Sequence, residues 1–430
     1  MTRLFFSPIL LCLAVTFGAV SPRTAEACEV KVGILHSLTG GMAISETPLK
    51  DVMLMMIDDV NQRGGLLGCT VVPVVKDPAS DWPRFGRLAK EMLIQDEVDV
   101  IFGAWTSVSR KEILPAVEQH NGLLFYPVQY EGEESSANVF YTGAAPNQQA
   151  IPATDFMIDA LERDYFVLLG TDYVYPRTTN RILEGYLLNK GITSSQIFVN
   201  YTPFGFDNWG PTIEYVKLLQ ARGHNVGIIS TINGDANIHF YKEMADAGID
   251  PQDVPVIAFS VGEAELSAMN EFEVQKALKG HYAAWNYFQS VNTPINKRFV
   301  ERWRAYTGDP SAVTTDPMEA HFIGFHMWIK AVEKAGTAQV DPVRKQMHGM
   351  RMQNLTGGMA EMLPNHHLTK PVLIGRIKMG GQFDIVSQTD LVKGDAWTDH
   401  LPMSAQLVSD WVDLKCGKYS LTSKRCVQFR

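Results

Sequence analysis

Apolar positions along most of this chain fall into two alternating rhythms. Short runs rich in Val, Ile and Leu recur, each followed by a longer stretch whose apolar residues repeat every three or four positions. Residues 30–35 read as a strand and 47–61 as a helix, with Met53, Met56, Ile57 and Val60 on one face and Gly64-Gly65 as its stop. The unit recurs at 70–75 with 82–94 and at 98–102 with 109–120, then ends on a strand at 123–126. After Pro146 the rhythm restarts: helices at 148–163, 178–189, 211–223 and 236–247 alternate with strands at 166–169, 197–201, 226–230 and 254–259. Strands alternating with helices predict parallel sheets covered on both faces.

The expected fold class is therefore α/β, with two similar lobes, each a parallel-type sheet flanked by helices. From His281 on, a short strand, helices at 295–306 and 317–335, and extended pieces at 372–377 and 383–386 imply that the chain returns to complete both lobes. It would cross between them three times, near 144–147, 283–286 and 357–364, and each crossing is a candidate hinge. The division expected is 28–145 plus 284–360 for lobe I, 146–283 plus 361–400 for lobe II, and a tail at 401–430.

Residues 1–27 stand apart. Arg3 precedes a run that is apolar from Leu4 to Val20 except for Ser7, Pro8, Thr16 and Gly18, and Ala25-Glu26-Ala27 has the form of a cleavage site. This reads as an export signal that is removed. The 17-residue run falls short of the roughly 20 apolar residues of a spanning helix, so no stable membrane insertion is expected. Of five cysteines, Cys12 leaves with the signal, and Cys28, Cys69, Cys416 and Cys426 remain, an even number suited to an oxidising compartment. Cys28 and Cys69 each open a strand that a right-handed crossover places side by side, which predicts one disulfide. Cys416 and Cys426 lie ten apart in the tail, with a turn between them to pair them locally.

Charge narrows the partners. With 38 basic against 47 acidic residues the net charge is −9, which leaves no basis for a nucleic-acid partner. No phosphate loop, dinucleotide fingerprint, HExxH or CxxC occurs, so no cofactor, metal site or catalytic residue is expected. Ser260 sits in a sequence close to a nucleophile elbow but lacks its first glycine, and reads as a turn or cap residue. His366 and His367 are adjacent and would point to opposite faces of a strand.

Open parallel sheets bind ligands beyond the carboxyl ends of their strands. Four loops there carry chemistry: Trp105-Thr106-Ser107, Tyr126 to Gly132 with Val128, Gln129 and Tyr130, Asp172-Tyr173 with Tyr175, and Asn233-Gly234-Asp235. Thr106 or Ser107 serves equally as a helix cap. Aromatic faces and hydrogen-bonding groups on two facing lobes describe a small polar ligand clamped between them.

At these loops the chain resembles the type I periplasmic binding proteins, in particular the urea-binding proteins of bacterial urea ABC importers. The matching stretches include Val32 to Gly40, Ala79-Ser80-Asp81-Trp82-Pro83, Trp105-Thr106-Ser107, Tyr126 to Gly132, Tyr141 to Gln148, Asp172-Tyr173, Asn233-Gly234-Asp235, His281 to Gln289 and Asn365 to Leu368. Short-chain amide sensors share several of these patterns. Ala104, the aromatic loop 204–209 and Val261-Gly262 depart from them. The resemblance implies a periplasmic, non-enzymatic protein that holds urea and delivers it to ABC permease subunits. Acetamide or formamide, a branched-chain amino acid, or a receptor role are the alternatives. Urea is neutral and planar, with four N–H donors and one acceptor. Asp235, the Val128 carbonyl and tyrosine hydroxyls suit the donors, Ser107 and backbone N–H groups suit the carbonyl, and Trp105, Tyr130 and Tyr173 suit the walls. Asp235 is expected to set selectivity.

Overall fold

In the computed structural model, residues 1–2 and 28–427 are described. The export signal, apart from its first two residues, lies outside them. Strands β1 (Glu29–Leu35), β2 (Thr70–Lys76), β3 (Val100–Gly103), β4 (Leu124–Tyr126) and β5 (Val139–Tyr141) form a parallel sheet in the order β2-β1-β3-β4-β5. Strands β6 (Tyr165–Thr171), β7 (Ile197–Thr202), β8 (Val226–Thr231), β9 (Val256–Ala258) and β10 (Tyr282–Trp285) repeat that plan as β7-β6-β8-β9-β10. Strand Leu373–Ile377 then joins the second sheet antiparallel to β10, and Phe383–Gln388 pairs antiparallel to Leu373–Ile377 at the sheet edge. β3 and β6 are buried along their whole length, which explains apolar runs without alternation.

Glu29 pairs with Thr70, so the residues just before them stand side by side, and Cys28 and Cys69 form a disulfide with 4.8 Å between their Cα atoms. Cys416 is joined to Cys426 within a small three-stranded antiparallel sheet, Leu407–Asp410, Cys416–Ser420 and Arg425–Cys426.

The helix expected over 148–163 is broken. A regular helix covers only Ala150–Asp155, and a wider turn, Phe156–Ala160, closes with the Leu161 N–H reaching back five residues to the Phe156 carbonyl. β5 was absent from the sequence reading, since three residues are too short to show a period.

The long helix Asp316–Ala335 packs on Ala43–Gln62 beside the first sheet. The hairpin of Arg351–Gln353 with Met359–Glu361 follows, and Tyr141 N–H then donates to the His366 carbonyl at 2.9 Å. The chain therefore stays with lobe I through His367 and reaches the second sheet only at Leu373, later than the 357–364 crossing expected. Asn286 ties the crossings together: its Nδ2 donates to the carbonyls of Gln148 at 2.9 Å and Pro371 at 2.8 Å, and its N–H to Asp316 at 2.8 Å.

Candidate ligand-binding site

β3 ends at Gly103, and Ala104 adopts a left-handed conformation with φ 68°. A non-glycine residue there carries strain of order 1–3 kcal/mol, a feature that clusters at functional sites. The turn delivers Thr106 as the N-cap of the helix Ser107–Gln119, its Oγ1 accepting from Ser109 N–H at 3.2 Å. Ser107 is left free for another partner. Its hydroxyl donates to the Glu131 carboxylate.

One turn further on lies Arg110, with no exposed surface. Its Nε meets Glu134 at 2.7 Å, one terminal nitrogen meets Ser107 Oγ at 3.2 Å, and the other meets Glu131 at 3.3 Å. The guanidinium lies 4.7 Å from the ring centres of both Tyr126 and Tyr130. Lys111 adds a second cation 2.6 Å from Glu134. Burial alone would raise the Glu134 carboxyl, but the charges of Arg110 and Lys111 overcome it and hold it at about 2. The loop can present both carboxylates to one arginine because Gly132 (φ 67°) and Glu133 (φ 59°) are successively left-handed.

Tyr126 and Tyr130 are both buried, but in different layers. The Tyr126 hydroxyl donates to the Trp105 carbonyl at 2.5 Å. Tyr130 lies behind, bonded to His367 Nε2 at 2.6 Å and stacked on Tyr141 with ring centres 4.8 Å apart. The Val128 carbonyl packs so tightly on Gly143 that a Cβ there would stand 2.1 Å from its oxygen. Gln129 reaches across to lobe II, donating to the Phe259 carbonyl at 2.8 Å and to Ser260 Oγ at 3.2 Å.

From lobe II come Tyr173 and Tyr175, at the start of the helix Val174–Asn189. Burial first, and then the neighbouring Glu131 carboxylate among other groups, push both hydroxyls well above their ordinary range. The Tyr175 hydroxyl and the Gln129 Oε1 are buried and make no well-formed hydrogen bond, although Gln129 and Ser260 lie close enough to Tyr175 to draw its hydroxyl partly back down. Asn233 is buried as a loop brace, its N–H on Thr171 Oγ1 at 2.9 Å and its Nδ2 on the Thr231 carbonyl at 3.1 Å. Asp172 faces solvent, paired with Arg177 at 2.6 Å. Asp235 is exposed at the start of the helix Ala236–Asp246 and makes no side-chain cap bond.

The lobes are in contact around this cluster. Ser45 donates to Glu265 at 2.7 Å, and Trp82 of lobe I meets Phe204 of lobe II at 5.9 Å, with Tyr173 5.2 Å from the same Phe204. The structure thus brings together Trp105, Ser107, Tyr126, Gln129, Tyr173 and Tyr175. The residues missed from the sequence are Arg110, Glu131 and Ser260. Glu131 stood inside the tyrosine-rich run, and Arg110 falls one helical turn after Ser107, a spacing that puts both on one face. Among the described residues, no group of three or more His, Cys, Asp or Glu is placed to hold a metal.

The family described as periplasmic binding protein domain matches residues 30–403. The chain belongs to that family. Leu/Ile/Val-binding protein homolog 6 of Brucella melitensis is 21% identical over 86% of this chain and 92% of its own length. An amino acid ABC transporter substrate-binding protein from Pseudomonas fluorescens superposes with a TM-score of 0.72 at 19% identity, over 84% of this chain and 95% of that one. A Rhodopseudomonas palustris solute-binding protein in complex with p-hydroxybenzoic acid gives 0.73 at 17%, over 85% and 97%. These likenesses establish the type I periplasmic binding fold, with parallel sheets flanked by helices. A partial match, 26% identical to limonene hydroxylase of Geobacillus stearothermophilus, covers 30% of this chain and 22% of that protein. That share is too small to transfer an activity.

Proposed function

We propose that this family member captures urea, or a short amide close to it, between its lobes and hands it to the permease of an ABC importer. The carrying observation is the state of Arg110. It is the buried cation of the lobe I face, and its donors are taken by Glu131, Glu134 and Ser107. A ligand carboxylate entering here would meet Glu131 instead of a free guanidinium. A neutral ligand rich in N–H donors suits Glu131, with N–H groups at the start of the helix Ser107–Gln119 for its carbonyl. The aromatic residues Tyr126, Tyr173 and Trp105 supply flat walls. Glu131 takes the acceptor role that the sequence alone suggested for Asp235.

A branched-chain amino acid is the second reading, favoured by the Leu/Ile/Val-binding protein homolog of Brucella melitensis, which matches over nearly its whole length. Export follows from the leader expected at 1–27, and no described helix is long and apolar enough to cross a membrane. Calorimetric titration of ligand-stripped protein with urea, acetamide, formamide, leucine and p-hydroxybenzoate tests the proposal. Binding of urea or an amide with no heat from leucine is the expected result, and the reverse order would transfer the function to amino acids.

A further inference from the structure

Behind the cleft, the last part of the chain weaves between the lobes once more. The Lys393 carbonyl accepts from Asn147 Nδ2 at 2.7 Å, and the Ala396 carbonyl from Glu133 N–H at 2.6 Å. The Glu133 carboxylate, facing away from Arg110, accepts Thr398 N–H at 3.3 Å and the Ser404 hydroxyl. Between these two contacts His400 leans on lobe II. Its ring lies 4.7 Å from that of Tyr186, and a Cβ on Gly185 would stand 2.4 Å from its carbonyl oxygen. Both partners belong to the helix Val174–Asn189, whose first turn carries Tyr175. Further on, Trp411 returns to lobe I, with its N–H on the Pro364 carbonyl at 2.8 Å and its Nε1 on Ser135 at 3.0 Å.

We propose that residues 395–411 form a strap that orients Glu131 from behind, with Glu133 as the positioning residue through which it acts. The proposal rests on the reading of Glu131 as an acceptor for ligand N–H groups. Glu133 has a side chain and a left-handed backbone, a combination that persists only where surroundings over-determine it. Here the surroundings include three hydrogen bonds from the strap, with the Lys418 ammonium nearby as well. They fix the turn that points Glu131 at Ser107 and Glu134 at Arg110. Released, Glu133 would relax toward an ordinary conformation and rotate Glu131 off Ser107. The strap's packing does not depend on these bonds, because Ala396 and Trp397 are buried on their own account. The two roles can therefore be separated.

The test compares Glu133→Ala, Ser404→Ala and Glu133→Gln with the unaltered protein. Glutamine keeps one oxygen for Thr398 N–H and turns its Nε2 as a donor toward the Ser404 hydroxyl oxygen, so Glu133→Gln should hold the turn and behave close to the parent. In ligand-free protein, amide exchange across residues 131–135 should quicken at least about tenfold in Glu133→Ala, which loses two hydrogen bonds to a charged group, and less in Ser404→Ala, which loses one. Affinity for whichever of urea, acetamide, formamide or leucine the parent binds should fall about tenfold by the same reasoning, with rescue by glutamine. Quickened exchange with unchanged affinity would reduce the strap to packing and overturn the proposal. If the parent bound none of these ligands, the proposed function would fail, and the strap would stand or fall on the exchange result, unaltered exchange in Glu133→Ala overturning it.

Discussion

The two faces of the cleft are finished to different degrees. On lobe I, Ser107, Arg110, Lys111, Glu131 and Glu134 satisfy one another, two cations against two carboxylates, and the Tyr126 hydroxyl is bonded to the Trp105 carbonyl. On lobe II, the buried Thr179 Oγ1, Thr202 Oγ1 and Asn237 Oδ1 have no hydrogen-bond partner and the Tyr175 hydroxyl makes no well-formed one, against Gln129 Oε1 alone among the lobe I loop residues of the site. Buried polar groups in native proteins are nearly always paired, so the two faces differ in how far the protein's own groups meet that demand. Under the proposed function, lobe I serves as the preorganised recognition surface and lobe II as the cover whose closure a ligand shifts.

The largest expected effect breaks the lobe I network. Arg110→Leu leaves Glu131 and Glu134 buried without their central cation, and removing one member of a buried ion cluster costs about 3–5 kcal/mol. Guanidinium chloride unfolding measures it, since urea is the proposed ligand. Arg177→Leu, on the exposed pair of lobe II, should leave the unfolding midpoint where it was. Equal losses in the two variants would erase the contrast between the faces.

Next comes Glu131→Gln. The charged acceptor is lost while size is kept, and urea affinity should fall by about 1.5–3 kcal/mol, roughly ten- to a hundredfold. Asp235→Ala, at an exposed position, should change it less than about twofold. Titration of both variants decides, and the opposite ranking would move recognition onto lobe II.

The sheets were legible in the sequence because buried parallel strands read as unbroken apolar runs, as in 166–169 and 226–230. The Cys28–Cys69 link followed from the parallel register. Lobe I's tyrosines and Ser107 could also be placed, since strand-end loops are where open sheets bind. What stayed hidden was direction. Nothing in the spacing says that Gly132 and Glu133 both turn left-handed, which aims Glu131 at Arg110 and Glu133 at the strap. Asp172 and Asp235 sit in the right loops, but a loop residue can face solvent or cleft, and both face solvent. The third crossing was placed too early because the short hairpin at 351–361 looks, from composition, like a linker.

pH separates the faces in a third way. Glu263, after β9 on lobe II, is buried and accepts Gln289 N–H at 2.7 Å, and burial pushes its carboxyl up to about 8. A carboxyl raised above its usual 4.5 contributes stability that is present at low pH and lost as pH rises through about 8. Glu134 on lobe I, held at about 2, does the opposite: its contribution is present above 4.5 and fades as pH falls toward 2. Melting temperatures from about pH 5 to 8 should therefore decline less in Glu263→Gln than in the unaltered protein. Parallel curves would show that Glu263 does not take up a proton on folding.

The smallest effect has the sharpest sign. Tyr175→Phe removes a buried hydroxyl that makes no well-formed hydrogen bond within the protein, so stability should hold or rise by up to about 1 kcal/mol, because a poorly met desolvation cost disappears. Tyr126→Phe removes a hydroxyl bonded to the Trp105 carbonyl and should cost about 1 kcal/mol under the same conditions. Saturating ligand should reverse the first sign alone. If the Tyr175 hydroxyl meets the ligand when the lobes close, Tyr175→Phe loses about 0.5–1.5 kcal/mol of affinity, roughly two- to tenfold, and its ligand-induced rise in melting temperature shrinks accordingly. A Tyr175→Phe protein that binds as tightly as its parent would mean that water, rather than ligand, completes lobe II, and the cover would then close over the site without reading what it holds.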